Sequence, residues 1–179
     1  ERRSDPKCLK GVLGGGKTAI GQAIAKAMVA AGAERVWLGV AEPWKKLPGF
    51  DRITALPQVS PEPLDLSDGR SVEELAGEIG GKVDIVVNDA EVHRTFGIAS
   101  RRGTDAARAE MDINYFGALR LAQAFGPALK ARAADGVAHA TAWVNLLSIY
   151  ALANFPPHGT FSASKAAAHS LAQCLRAEM

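Results

Sequence analysis

The chain has 179 residues, 47% apolar and 22% charged, with a formal net charge of +2. This composition predicts a soluble single-domain protein large enough for a sizeable core, and apart from Arg2-Arg3 and Arg101-Arg102 it holds no basic run that would mark a nucleic-acid or membrane surface. Cys8 and Cys174 stand at opposite ends without redox or metal spacing, and the apolar runs are too short to span a bilayer; a reduced, cytoplasmic setting without a metal is expected.

Apolar runs of strand length alternate with helical patterns, as in βα units of a parallel sheet. The first strand is predicted over Cys8 to Leu13. An Ala-rich helix follows from Thr18 to Ala31, with Ile20, Ile24 and Met28 on one face and Gly32 as its stop. Arg35 to Val40 reads as the second strand. The Pro-rich stretch from Glu42 to Pro63 is a weakly patterned crossover into Leu64-Asp65-Leu66, and its helix has no clear position. Ser67 is expected to cap a helix around Ser71 to Ile79, and Val83 to Val87 to form a buried strand ending in Asn88-Asp89-Ala90. Ala106 to Lys130 reads as one long helix interrupted only by Gly117 and Gly126. Trp143 to Leu147 is the fifth strand, and Phe161 to Glu178 a helix with Ala163, Ala167, Leu171 and Leu175 along one stripe. Five βα units without internal repeat or linker predict one Rossmann-like, doubly wound α/β domain over residues 1–179, with ligands at the carboxyl ends of its strands.

The stretch GVLGGGKTAIG, residues 11 to 21, fits two phosphate-binding loops. From Gly11 to Thr18 it matches the P-loop of ATP and GTP enzymes, with Asp89 available for Mg²⁺. From Gly14 to Gly21 it matches the glycine turn of a dinucleotide site, where a pyrophosphate rests on a helix N-terminus. The second reading lets the first strand run on through Val12 and Leu13, the most strand-like residues nearby.

Further along, Ser148 is followed thirteen residues later by Phe161 and four after that by Lys165, within FSASKAA. This segment resembles the short-chain dehydrogenase/reductase family, whose pattern is a Ser, then a Tyr four residues before a Lys. The resemblance extends to the glycine turn, Asp65, Asn88-Asp89-Ala90 and Asn114, nearly the whole chain. It implies an NADP- or NAD-dependent oxidoreductase that interconverts carbonyl and alcohol by hydride transfer. Cofactor contacts are then implied at Gly15, Lys17, Ala19, Ile20, Gly21, Asp65, Leu66, Asn88, Ala90 and Lys165. The reaction centre falls on Asn114, Ser148, Phe161 and Lys165. In the family, Ser holds the substrate oxygen, Tyr exchanges its proton, Lys lowers the Tyr pKa and grips the ribose, and Asn supports the relay.

Departures from the pattern predict altered behaviour. Phe161 has no proton to exchange, and loss of a positioned acid/base lowers rates about 10²- to 10⁴-fold. Tyr150 or water is a conceivable substitute; a silent NAD(P)-binding regulatory or structural domain is the alternative, and a P-loop nucleotidase a distant one. Ala19 replaces a glycine where its methyl would crowd a pyrophosphate, and Asp89 and Glu91 add negative charge beside one. No acid ends the second strand, where Gly39 and Val40 stand, and Lys17, Lys45 and Lys46 are at hand for a phosphate, which leans to NADP. His93, His139, His158 and His169 lack ligand spacing and are read as ordinary. The family's fold continues past the point where this chain ends, so a truncated fold is expected, and the family implies a homo-oligomer through the helices carrying Asn114 and Lys165.

Overall fold

The computed structural model describes residues 9–94, 97–100, 102–135 and 141–179; Cys8, Arg2, Arg3, Arg101 and His139 lie outside the described residues. Strands β1 (Lys10–Gly14), β2 (Arg35–Val40), β3 (Val59–Pro63), β4 (Ile85–Asn88) and β5 (Ala142–Asn145) form a five-stranded sheet ordered β3-β2-β1-β4-β5. Every pairing is parallel. Parallel neighbours need long crossovers, which helices α1 (Ala19–Ala30), α2 (Phe50–Thr54), α3 (Gly69–Ile79), α4 (Asp105–Met111) and α5 (Ala118–Ala134) provide; α6 (Gly159–Glu178) follows β5. The result is the expected Rossmann-like fold.

Alternation along each strand divides the core in two. Val12, Trp37 and Val86 point to one face, where they meet Leu75 and Ile79 of α3 and Leu121, Phe125 and Leu129 of α5. Leu13, Val36, Leu38 and Val87 point to the other and meet Ala25 of α1 and Ile53 of α2. At the far end of β4, the fully buried Asp84 accepts from the Lys10 backbone N–H at 2.9 Å and from Arg132 Nε at 3.1 Å, tying β1, β4 and α5 together.

Several expectations need correction. The weakly patterned crossover contains both α2 and β3; β3 carries Pro61 and Pro63, which a strand at the sheet edge tolerates because a proline there needs no ladder N–H. Asp68, not Ser67, caps α3, accepting from Arg70 N at 3.0 Å, while the Ser67 hydroxyl donates to Asp65 at 2.7 Å. The expected long helix is α4 and α5 joined by a π-helical turn over Asp112–Gly117, and Gly126 does not interrupt α5. Gly32 does stop α1: its φ of 91° suits glycine, and Ala33 N bonds back to Met28 O at 2.9 Å.

The buried faces of two helices differ in part from the expected stripes. In α1 Gly21 and Ala25 are buried and Ile24 and Met28 pack against the same core as expected, whereas Ile20 is 56% exposed at the helix start. In α6 the buried residues are Phe161, Ser162, Ser164, Lys165 and Ala168, whereas Ala163 is exposed and Leu171 and Leu175 line a surface groove with α5. Apolar periodicity misreads α6 because its inward face is largely polar and builds the site.

Candidate functional site

The chain order reverses between β1 and β4, and at that point Gly14, Asn88 and Asn145 stand side by side at the carboxyl ends of β1, β4 and β5. Such a crevice is the usual ligand position of an open α/β sheet. The turn leaving β1 is shaped by Gly15, whose φ is +83° and whose missing Cβ would lie 2.8 Å from both Ala90 N and Asp89 C. Thr18 caps α1, its hydroxyl oxygen accepting from Gly21 N at 2.8 Å. The amides of Ala19 and Ile20 have no hydrogen-bond partner among the described residues, and both residues are exposed. A helix opening with free, accessible amides attracts a phosphate group. The turn therefore fits a dinucleotide, although the Ala19 methyl stands at the same opening.

The floor of the crevice is acidic. Asn88 accepts from Ala90 N at 3.3 Å, and the adjoining Asp89 is buried and accepts a hydrogen bond from the Thr18 hydroxyl. Burial raises the Asp89 pKa; the Thr18 hydrogen bond lowers it, Glu91 raises it, and Lys165 and the Gly21 N–H lower it, the net shift being upward. Glu91 reaches across to Lys165, with Oε2 2.8 Å from Nζ.

Asn114, in the π-helical turn, uses its whole amide. Oδ1 accepts from Val92 N at 2.8 Å, and Nδ2 donates to Val92 O at 2.9 Å and to Ser164 Oγ at 2.8 Å. It clamps the loop after β4 against α6, which fixes Lys165 one residue beyond Ser164. The Lys165 ammonium lies 5.5 Å from the centre of the Phe161 ring. Ser148 lies beyond β5 and caps a short turn, accepting from Tyr150 N at 3.3 Å; the Tyr150 ring then meets Phe161 edge-on at 6.0 Å. Asn114 is thus linked through Ser164 to the helix turn that carries Phe161 and Lys165, and Tyr150, two residues beyond Ser148, meets the Phe161 ring.

Other predicted residues have different surroundings. Lys17 donates to the carbonyl oxygens of Glu42, Pro43 and Lys45 and lies 5.2 Å over the Phe50 ring, so it anchors the loop after β2. Lys45 pairs with the Glu42 carboxylate at 3.2 Å, which leaves Lys46 of the three lysines without a partner among the described residues. Asp65 Oδ1 accepts from the Ser67 N–H at 2.9 Å, a local turn. The Leu66 side chain is in the core and its carbonyl accepts from Arg120 at 2.6 Å.

Two histidines read as ordinary lie against each other, and one of them against the Phe161 ring. His93 stacks on Phe161 with ring centroids 4.1 Å apart, and its Nε2 is 2.7 Å from His158 Nδ1. Tyr150 and Phe155 stack against His158 at 5.2 and 5.3 Å. His158 stands three residues before Phe161 within the motif segment, the one sequence signal that could have drawn attention to it; His93 has none.

Comparison with known proteins agrees with this geometry. The family model described as short chain dehydrogenase matches residues 12–179. Dehydrogenase/reductase SDR family member 7B of Mus musculus is 32% identical over 177 residues, covering 94% of this chain and 52% of that protein. The chain thus spans about half the length of this curated relative. A short chain dehydrogenase of Burkholderia cenocepacia, in complex with NADP, superposes with a TM-score of 0.82 at 29% identity, covering 98% of this chain and 68% of that one. A short chain dehydrogenase/reductase of Burkholderia phymatum, in complex with NAD, shares the fold at a TM-score of 0.85 and 23% identity over 99% of this chain and 62% of that one. With the glycine turn, the Asn114 clamp and the buried Lys165 in place, and the family model matched from β1 to the end of α6, the chain belongs to the short chain dehydrogenase family.

Proposed function

We propose that this chain is the cofactor-binding part of a nicotinamide-dependent oxidoreductase that interconverts a carbonyl and an alcohol, with NADP preferred to NAD. The observation that carries the reading is the crevice itself: a glycine turn with free amides at Ala19 and Ile20, facing Asn88 and the buried Lys165. The amides and Gly15 turn would hold the diphosphate, and Lys165 the ribose next to the redox ring. When bound, the nicotinamide supplies or accepts the hydride. Ser148 would hold the substrate oxygen. Phe161 fills the space of a phenol without exchanging a proton, so the family's usual proton route is closed.

Preference for NADP is supported by the β2 end, where among the described residues no carboxylate stands ready for ribose hydroxyls, Glu42 is engaged by Lys45, and Lys46 has no partner. The NADP complex of the Burkholderia cenocepacia relative and the NAD complex of the Burkholderia phymatum one support a nicotinamide cofactor of either kind, so the preference rests on the β2 end alone. A reduced cytoplasmic setting suits such a cofactor; among the described residues no helix is long and apolar enough to cross a membrane. The groove between α5 and α6, with Leu119, Leu171 and Leu175, supports pairing of two copies through these helices.

Thermal-shift measurements with NADPH, NADH and Mg-ATP test this reading, since a ligand bound only by the native form at 100 times its Kd adds about 2.7 kcal/mol. NADPH is expected to give the largest shift. A shift with Mg-ATP alone, abolished by Lys17→Ala, would overturn it.

A further inference from the structure

We propose that the hydrogen-bonded pair His93 and His158 carries the proton that Phe161 cannot, acting as a two-imidazole relay at the reaction centre. The inference rests on the oxidoreductase reading above. Its basis is a juxtaposition of residues 65 apart in the chain, joined by one 2.7 Å nitrogen-to-nitrogen bond, with the His93 ring against the face of Phe161 at 4.1 Å. An imidazole therefore touches the ring that stands in the phenol's place.

The proton inventory of such a pair suits relay whichever tautomer is present. Two neutral imidazoles carry two N–H protons. One lies in the bond between Nε2 of His93 and Nδ1 of His158. The other must sit on an outer nitrogen, either His93 Nδ1 or His158 Nε2, and the remaining outer nitrogen is bare. The pair is thus a donor at one end and an acceptor at the other, and moving both protons along exchanges the ends. Imidazoles also titrate between about pH 5 and 8, where a phenol near pKa 10 needs a cation beside it to act as a base.

The step balances as follows for reduction. The substrate carbon gains a hydride from the reduced nicotinamide, and the carbonyl π pair becomes an O–H bond by taking the proton on the outer nitrogen of His93. The shared proton crosses from His158 to His93, and the outer nitrogen of His158 takes a proton from solvent. One hydride and one solvent proton are consumed, and the charge of the pair is unchanged. Oxidation runs the same path backwards. Among the described residues, the charged and titratable groups near the pair include Tyr150, stacked on His158, Lys165 across the Phe161 ring, Glu91 paired with Lys165, and Arg94, next to His93, whose backbone N–H donates to the buried Glu110 at 2.7 Å.

The test compares the wild type with His93→Gln, His158→Gln, Phe161→Tyr and the double variant His93→Gln/Phe161→Tyr. NADPH binding is read by thermal shift, turnover with a panel of ketones, and imidazole titration by ¹⁵N NMR without cofactor. Either histidine variant is expected to lose about 10²-fold or more in kcat with NADPH binding and KM nearly unchanged, and Phe161→Tyr to restore turnover in the double variant. NMR should show a coupled pair, with the titration of each histidine shifted by replacement of the other. Histidine variants that turn over like the wild type, a wild type that binds NADPH without turnover, or two independent titrations would each overturn the relay. Absence of NADPH binding throughout the series would instead remove the oxidoreductase reading, and the relay with it.

Discussion

Glu91 and Lys165 form an ion pair of 2.8 Å in which the ammonium is 4% exposed and the carboxylate 46%. In the family this lysine grips the cofactor ribose; here it is already held by an acid that stands where the family has a glycine. On the proposed reading, a cofactor ribose gripped by Lys165 would compete with Glu91 for the ammonium. Glu91→Gln is expected to have two opposite effects. Without ligand the buried ammonium loses its charged partner, and stability falls by about 1 kcal/mol, a small figure because Glu91 is half in water. With NADPH the freed ammonium and the reduced negative charge tighten binding several-fold. Thermal unfolding with and without NADPH reads both; weaker NADPH binding in the variant would contradict the competition.

Gly15 shows how little room the turn leaves. At φ +83° a side chain is strained, and its Cβ would stand 2.8 Å from backbone atoms of both Asp89 and Ala90. Those atoms belong to the floor of the crevice and cannot rotate away. Gly15→Ala is expected to destabilise the protein by about 2 to 4 kcal/mol, adding left-handed strain to overpacking. It should also separate Asp89 from Thr18, so NADPH binding should fall more than stability alone accounts for. Denaturant unfolding and NADPH titration of the folded fraction give the two numbers, and an unfolding free energy within about 0.5 kcal/mol of wild type would refute the estimate.

How much of the structure is legible in the amino-acid sequence follows from the range of the interactions. β2 occupies the residues predicted for it because its apolar run is buried on both faces, and the Gly32 stop is a local conformational need. β3 was hidden by its prolines, and the π-helical turn by a composition identical to that of a helix. The inward face of α6 escaped because Ser162, Ser164 and Lys165 interrupt the apolar period. The Thr18–Asp89 and His93–His158 contacts join residues 71 and 65 apart, and no local pattern records them. The neighbourhood of Asn114 and the helix turn of Lys165 thus follows from the family's spacing, whereas the contacts made where this chain has diverged leave no signal in it.

Arg132 offers a test of the fold away from the crevice. Its guanidinium is bonded to the fully buried Asp84 and donates to Gly81 O at 2.9 Å. Truncation to alanine leaves a buried carboxylate whose remaining partner is the Lys10 N–H. Breaking such a pair costs about 3 to 5 kcal/mol when fully buried, and with Arg132 26% exposed a loss of about 2 to 3 kcal/mol is expected. The double replacement Asp84→Asn/Arg132→Met should recover part of it, because no uncompensated charge remains. Urea unfolding of Arg132→Ala and of the double variant checks both, and a double variant no more stable than Arg132→Ala would show that the unpaired buried charge is not the cause of the loss.

Asp89 provides the pH dependence. Burial holds its pKa above the ordinary value of 3.8, so the folded protein binds its proton more tightly than the unfolded chain does. The proton linked to Asp89 therefore favours the native state most below pH 3.8, and that contribution is lost as pH rises through the raised native value and is constant beyond it. Asp89→Asn keeps an oxygen to accept from the Thr18 hydroxyl and removes the titration. The stability of the wild type relative to Asp89→Asn should thus decline as pH rises above 3.8 and then level off. A bound diphosphate brings further negative charge to the same crevice, so the variant should also bind NADPH more tightly near neutrality, by a margin that shrinks as pH falls and the wild-type carboxyl is protonated. Unfolding and NADPH titrations of both proteins across pH 4 to about 8 measure the two trends; a wild type that gains stability over Asp89→Asn as pH rises would have the opposite sign and rule out burial as the dominant influence on this carboxylate.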